Sequence, residues 1–143
     1  FLSMIYVPTI SHADEIFIES EELLITREPL VNTFFGNVYA YDDEIRLWSD
    51  KVIIFYTEGD NKIDIIEIIG NGRLIRGNQE VLSDSIIYKV IDKKIYAKGN
   101  ITLTQGQDII NGDELNIDLV KSTSIIKSEK QNKVKVKINK DNE

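Results

Sequence analysis

The sequence predicts an all-β chain whose successive hairpins stack short antiparallel strands into two facing sheets. Three observations lead there. A Gly-Asn pair recurs at Gly36-Asn37, Gly70-Asn71 and Gly99-Asn100, and fourteen residues after each glycine stands an aspartate: Asp50, Asp84 and Asp113. Apolar and polar residues alternate in Leu115-Asn116-Ile117-Asp118-Leu119 and again through Lys133–Ile138, the period of a half-buried strand. No window of eleven or more residues carries a convincing helical stripe. Self-similarity at a fixed spacing means that one supersecondary unit is used several times.

Residues 1–10 are mostly apolar, and Ser11-His12-Ala13 sets small residues at positions −3 and −1 of a cut before Asp14. That pattern matches the end of a secretory signal over residues 1–13; an ordinary first strand is the other reading. Ile16 and Ile18 flank Phe17 as a strand would, and Glu19 to Ile25 has room for a turn or two of helix. Ser20-Glu21-Glu22-Leu23 is a weaker copy of the repeated phrase, fifteen residues before Gly36. Pro29 closes the first connection. Hairpin tips are expected at Asp42-Asp43-Glu44, Gly77-Asn78-Gln79 and Gln105-Gly106-Gln107, with an extra tip at Glu58-Gly59-Asp60-Asn61 that lengthens the middle unit. Parity breaks inside the long strands: Ile45 and Leu47 fall on one phase, Val52, Ile54 and Tyr56 on the other. They share a face only if an extra residue intervenes, which predicts a bulge or bend near Ser49, Ser83 and Gly112. The last strand is expected over Val134–Ile138. One domain would then span 14–138, followed by a disordered tail at 139–143.

The interior predicted from parity comprises Leu23, Ile25, Val38, Ala40, Val52, Ile54, Leu74, Ile86, Tyr88, Ile101, Leu103, Leu115 and Ile117. Phe34, Phe35, Tyr39 and Tyr41 gather near the first hairpin as core or rim, and Trp48 reads as packing. A stack of this kind leaves edge strands with free N–H and C=O groups, which proteins either block or use for strand addition.

Charge is unevenly distributed. Residues 1–120 carry 21 acidic and 10 basic side chains; residues 121–143 carry 3 acidic side chains and 7 lysines. An acidic body argues against nucleic acid as a partner, because phosphates need basic stripes. The absence of cysteine rules out disulfides and thiolate metal sites. His12 is the sole histidine, and the acidic tips lack the spacing of a calcium loop. Asp50, Asp84 and Asp113 occupy the same point of each unit, which fits carboxylates bonding backbone at a bend better than a convergent catalytic pair. Gly70-Asn71-Gly72 is too short for a phosphate loop. Residue chemistry therefore points to no enzyme, metal or cofactor, and no apolar stretch reaches the length of a membrane-spanning helix.

Taken in order, Ile16-Phe17-Ile18-Glu19-Ser20, Phe35-Gly36-Asn37-Val38, Ser49-Asp50-Lys51-Val52, Lys98-Gly99-Asn100-Ile101 and Asn111-Gly112-Asp113-Glu114-Leu115 resemble the LptA/OstA-like family over roughly residues 14–138. The resemblance implies an open, twisted, V-shaped β-jellyroll in the periplasm that holds the lipid A acyl chains of lipopolysaccharide in an apolar groove and passes the lipid toward the outer membrane. Ile16, Ile18, Leu23, Ile25, Val38, Val52, Ile54, Ile86, Tyr88, Ile101, Leu103, Leu115 and Ile117 would line the groove. The Ile16-Phe17-Ile18 edge and the Val134, Val136, Ile138 edge would pair with neighbouring jellyrolls: an inner-membrane LptC-like one, an outer-membrane LptD-like one, or a further copy arranged head to tail. The acidic body departs from what phosphorylated lipid A would favour at the rim. Two alternatives remain open from sequence, an LptC-like anchored component of the same pathway and a structural β-repeat scaffold that binds no lipid.

Overall fold

The structure, a computed structural model, describes residues 15–141. The expected signal segment at 1–13 lies outside the described residues. The described chain forms ten strands: β1 (Phe17–Glu19), β2 (Glu22–Arg27), β3 (Leu30–Tyr41), β4 (Ile45–Tyr56), β5 (Ile63–Arg76), β6 (Gln79–Lys89), β7 (Lys94–Gln105), β8 (Asp108–Asp118), β9 (Thr123–Lys127) and β10 (Lys135–Lys137). All neighbours are antiparallel and follow chain order from β3 to β8. β1 and β2 both pair with β3, on its C-terminal and N-terminal halves respectively, and β9 and β10 divide β8, on its C-terminal and N-terminal halves respectively. Each end of the sheet is therefore closed by one strand broken in the middle. Glu22–Arg27 is strand, so the helical turn considered for Glu19 to Ile25 does not form; β3 offers it a full ladder, which outweighs a short helix that could bury nothing.

Every long strand changes register at its centre. The shifts fall between Phe35 and Val38, Trp48 and Lys51, Ile69 and Gly72, Leu82 and Ser85, and Lys98 and Ile101. These include the expected bulges at Ser49 and Ser83, and the one facing Gly112. The insertion takes two forms. Gly36-Asn37, Gly70-Asn71 and Gly99-Asn100 take positive φ at both residues, such as +89° and +50° in the last pair, which glycine and asparagine tolerate best. Opposite them, the Ser-Asp strands gain a single residue.

Side chains then stitch each bulge. Asn71 Nδ2 donates to Asp50 Oδ2 at 2.9 Å and Asn100 Nδ2 to Asp84 Oδ2 at 2.9 Å, while Asn37 Nδ2 donates to Glu21 Oε2 at 2.7 Å. The weak copy at Ser20-Glu21 is thus a working member of the series. The Ser83 hydroxyl, buried, lies 2.9 Å from the Lys98 carbonyl and 2.8 Å from that of Ser85; Ser49 Oγ lies 3.0 Å from both the Ile69 and Gly70 carbonyls. The acids expected to bond backbone instead hold an asparagine on the next strand, except Asp113, which accepts the Glu129 N–H at 2.7 Å.

Because buried residues lie on both sides of every bulge line, the sheet is folded on itself like a V. The N-terminal half of β3 and its neighbours in register form one half-sheet, which faces a second half-sheet formed by the remainder. The core runs from Phe34 and Val38 through Val52, Ile54, Ile68, Ile86, Ile95 and Ile101 to Leu115. Burial of each such side chain stabilises the fold by about 1.5–3 kcal/mol. Hairpin tips occur where expected, and two more sit at residues 90–93 and 119–122. Past Ile138, Asn139 is tied down rather than free: its N–H donates to Asp108 Oδ1 at 3.1 Å and its side chain meets Gln107.

Candidate functional site

The strand registers arrange the inward residues in straight rows that cross the whole sheet through directly opposed pairs. One row runs Leu23, Phe34, Val52, Ile68, Ile86, Ala97, Leu115, Ile126. Facing it from the other half-sheet, a second runs Ile18, Ala40, Leu47, Leu74, Val81, Leu103, Ile110, Val136. These rows are the walls of the interior.

The residues assigned to a groove fall into three places. Val38, Val52, Ile54, Ile86, Ile101, Leu103 and Leu115 are at most 3% exposed and pack against one another in a closed centre. Ile16, Ile18, Tyr88 and Ile117 are partly buried around that centre. Leu23 and Ile25 point inward by register but are 49% and 48% exposed, because β2 is an edge with no strand beyond it. Their expected burial is thus corrected. Parity reasoning missed Ile66, Ile68 and Ile95 as interior residues. The run Ile63-Asp64-Ile65-Ile66-Glu67-Ile68-Ile69 is apolar on both phases and hides its inward set, whereas Ile95 and Ala97 alternate legibly.

On the side away from the bulges the halves part slightly. A cavity of about 40 Å³, room for a few waters, is lined by Ile16, Ile45, Leu47, Ile66, Leu74 and Tyr88, with Asp42 at its rim. Asn32 Nδ2 donates to the Tyr56 hydroxyl at 3.0 Å, and its inward Oδ1 is buried without a partner among the described residues. Burial, and then the Asp42 and Glu44 carboxylates, push the Tyr88 hydroxyl above its ordinary pKa, with Arg76 partly opposing them. The folded-state pKa is therefore above the unfolded one. The stability it contributes is intact below the unfolded value of about 10 and lost as pH rises through the folded value. Tyr88→Phe is expected to soften alkaline unfolding followed by circular dichroism; an unchanged alkaline midpoint would contradict the placement of this hydroxyl.

Outside, aromatic side chains form a ladder across three strands, β1, β3 and β4, capped by an arginine from β5. Phe17 stacks on Tyr41 with centroids 5.2 Å apart, Tyr41 on Tyr39 at 5.2 Å, and Tyr39 on Trp48 at 5.1 Å, while Arg73 covers the Trp48 ring at 4.8 Å. Trp48 and the two tyrosines are therefore outer-face packing, and of the first-hairpin cluster Phe34 alone joins the core. Asp50, Asp84 and Asp113 stand on alternate strands, each committed to its own neighbour, and no group of three or more metal-binding side chains assembles among the described residues.

Exposed apolar residues also lie on the outer face of the central strands (Ile69, Leu82, Ile87, Tyr96) and at the tips (Ile91, Val120), and a further set marks the two ends. Phe17, Leu24 and Ile25 lie on the first edge; Ile125, Val134, Val136 and Ile138 lie on the last. Both edges present unpaired backbone groups, and Ile16 and Ile18 flank the first from inside.

Comparison with known proteins follows the same outline. The family described as LptA/(LptD N-terminal domain) LPS transport protein matches residues 17–123, from the start of β1 to the start of β9. An uncharacterized protein of Rhizobium meliloti (strain 1021) is 28% identical over 118 residues, which is 77% of this chain and 63% of that protein. Another, of Rickettsia prowazekii (strain Madrid E), is 29% identical over 102 residues, 68% of this chain and 70% of that one. The chain thus spans roughly two thirds of these relatives. Among solved structures, LptH of Pseudomonas aeruginosa, described as the LptA homologous periplasmic component of the lipopolysaccharide transport device, superposes with a TM-score of 0.79. That match covers 90% of this chain and 98% of LptH at 10% identity, a likeness of fold. With the family matched across nearly the whole described sheet, the chain belongs to the LptA/LptD N-terminal domain family of lipopolysaccharide transport proteins.

Proposed function

We propose that this chain is a non-enzymatic periplasmic carrier that takes the lipid A acyl chains of lipopolysaccharide between its two half-sheets and passes the lipid along toward the outer membrane. The observation that carries the reading is the pair of facing apolar rows, open at both ends of the sheet. A row of aliphatic side chains of nearly even character offers an acyl chain similar affinity at each step. Full enclosure would hold each methylene by about 0.8 kcal/mol and trap a multi-acyl lipid. An interior that parts along its open side and closes again behind the cargo avoids that trap.

In this reading Ile16, Ile18, Leu23 and Ile25 receive the lipid at the first edge, Tyr88 and Ile117 meet it beside the open side, and the buried rows behind them separate as it enters. The edges hand it over by strand pairing with an LptC-like jellyroll on one side and an LptD-like jellyroll on the other, or with further copies. The domain would extend over 14–138, with a cleaved signal before it. Phosphorylated head groups would remain in solvent, away from the acidic body.

A photo-crosslinking residue at Ile18 is expected to capture lipopolysaccharide. Capture only at outward control positions such as Tyr96 would favour the scaffold that binds no lipid. Removing residues 133–143, which carry β10, is expected to abolish edge-to-edge assembly seen in sedimentation; unchanged sedimentation would refute the docking role of that edge.

A further inference from the structure

Among the described residues, one buried side-chain oxygen has no hydrogen-bond partner: Oδ1 of Asn32. The buried serines at the bulges differ from it. Ser49 and Ser83 each reach neighbouring carbonyls at 3.0 Å or less. Asn32 stands in a third inward row, which runs through directly opposed pairs from Ile25 to Asn32, Ile54, Ile66 and Tyr88. Its neighbours across the strands are Ile25, exposed at the edge, and Ile54, buried in the core. Farther along the row, Ile66 and Tyr88 line the cavity on the open side.

A valine or isoleucine at this position would simply continue the row. An amide oxygen withdrawn from water with no donor in reach destabilises the closed state instead. The Tyr56 hydroxyl takes the Nδ2 end of the amide at 3.0 Å, which leaves Oδ1 as the pole turned to the interior. β3 begins at Leu30, so this pole lies two residues from the lip of its half-sheet and one strand in from the first edge.

We propose that Asn32 is a recognition point for the acyl chain: Oδ1 accepts a hydrogen bond from a hydroxyl or amide N–H that the chain carries close to its head group, so that such chains are preferred to plain ones. This rests on the carrier reading above and adds a chemical preference to it. Position supplies the first reason. A lipid whose polar head stays in solvent lays the far end of its chain among the buried rows. The part nearest the head then passes the lip, where Asn32 stands.

Chemistry supplies the second. An amide oxygen only accepts, so a hydroxyl or an N–H satisfies it, whereas an ester or phosphate oxygen meets it acceptor to acceptor. A plain methylene leaves Oδ1 as unpaired as it is in the closed chain. The gain therefore falls to the donor-bearing chain alone. A site of this kind discriminates, because a ligand that lacks the donor leaves a buried polar atom without a partner.

Three neutral probes of equal chain length read the preference in the full chain: methyl laurate, methyl β-hydroxylaurate and N-methyl lauramide, each displacing a fluorescent fatty-acyl reporter. The hydroxylated ester or the amide is expected to bind about tenfold more tightly than methyl laurate, the effect of one satisfied buried hydrogen bond. Whichever of the two gains identifies the donor as hydroxyl or N–H. Asn32→Val, which completes the aliphatic row, is expected to erase the preference by removing the acceptor, and Asn32→Leu to do the same. Circular dichroism confirms that each variant is folded. Equal binding of all three probes by the unmodified chain would overturn the recognition point and leave the carrier reading standing. So would a preference undiminished in either folded variant. Binding of none of the three would sink the carrier reading together with it.

Discussion

Gly99→Ala is expected to lower the unfolding free energy by about 2–4 kcal/mol, and distinctly more than Gly59→Ala, although both glycines share a φ of +89°. The comparison isolates what the repeated phrase does. At Gly59 an added Cβ meets nothing within 4 Å, so the cost is backbone strain alone, about 1–2 kcal/mol. At Gly99 the same atom would lie 2.5 Å from Asp84 Oδ2 and 3.0 Å from its Cβ. The carboxylate must move away, and the 2.9 Å bond from Asn100 Nδ2 goes with it, a further loss of about 0.5–1.5 kcal/mol. Asp84→Ala in the Gly99→Ala background should recover the part due to the carboxylate and leave the strain together with the 3.0 Å contact to the Cβ at position 84. Equal denaturation midpoints for Gly99→Ala and Gly59→Ala would mean that the carboxylate yields freely and that the phrase is not a clamp. Gly70, with Asp50 Oδ2 at 2.7 Å from its would-be Cβ, should follow Gly99.

What could be read from the chain before its structure follows from what each kind of pattern reports. Period two and the spacing of Gly-Asn against Ser-Asp belong to backbone geometry, and local sequence determines them. The strands, most of the tips and the central bulges were therefore legible, and the parity break between Leu47 and Val52 located a bulge to within a residue. Burial depends on what lies across a strand, which sequence does not state. Leu23 and Ile25 have the right parity but belong to an edge, and only the sheet order reveals that nothing covers them. The β5 run from Ile63 to Ile69 defeats parity outright, since both phases are apolar. Misreading the acids had a similar origin. Asp50 and Asp84 were expected to bond local backbone, as aspartates in turns do, but their partners are Asn71 and Asn100, supplied by the next strand. The tips at 90–93 and 119–122 lack glycine; Lys93 and Ser122 take the positive φ there, a choice no composition rule favours.

Ile86→Ala and Leu115→Ala are expected to cost about 3–5 kcal/mol each, the range for truncating a fully buried aliphatic side chain, and yet to leave lipid binding intact or improve it. Ile86 is 1% exposed and Leu115 0%, so neither can touch a ligand while the halves are closed. The existing cavity of about 40 Å³ is far too small for an acyl chain. A lipid must therefore replace protein–protein contacts inside the V with protein–lipid contacts, apolar for apolar, a near-even exchange once the halves have parted. Truncation shifts that exchange. The closed state loses packing, while an acyl chain can fill the vacated space as small apolar ligands fill engineered cavities. Because a ligand stabilises the state it binds in proportion to occupancy and affinity, lipopolysaccharide should raise the melting temperature of Ile86→Ala more than that of the unmodified chain. Ile117→Ala should show the opposite balance, with a smaller loss of stability and weaker capture of lipid, because this side chain is half-buried at the margin of the core. If lipid raises the melting temperature of neither chain, the half-sheets do not open, and the interior is a core and nothing more.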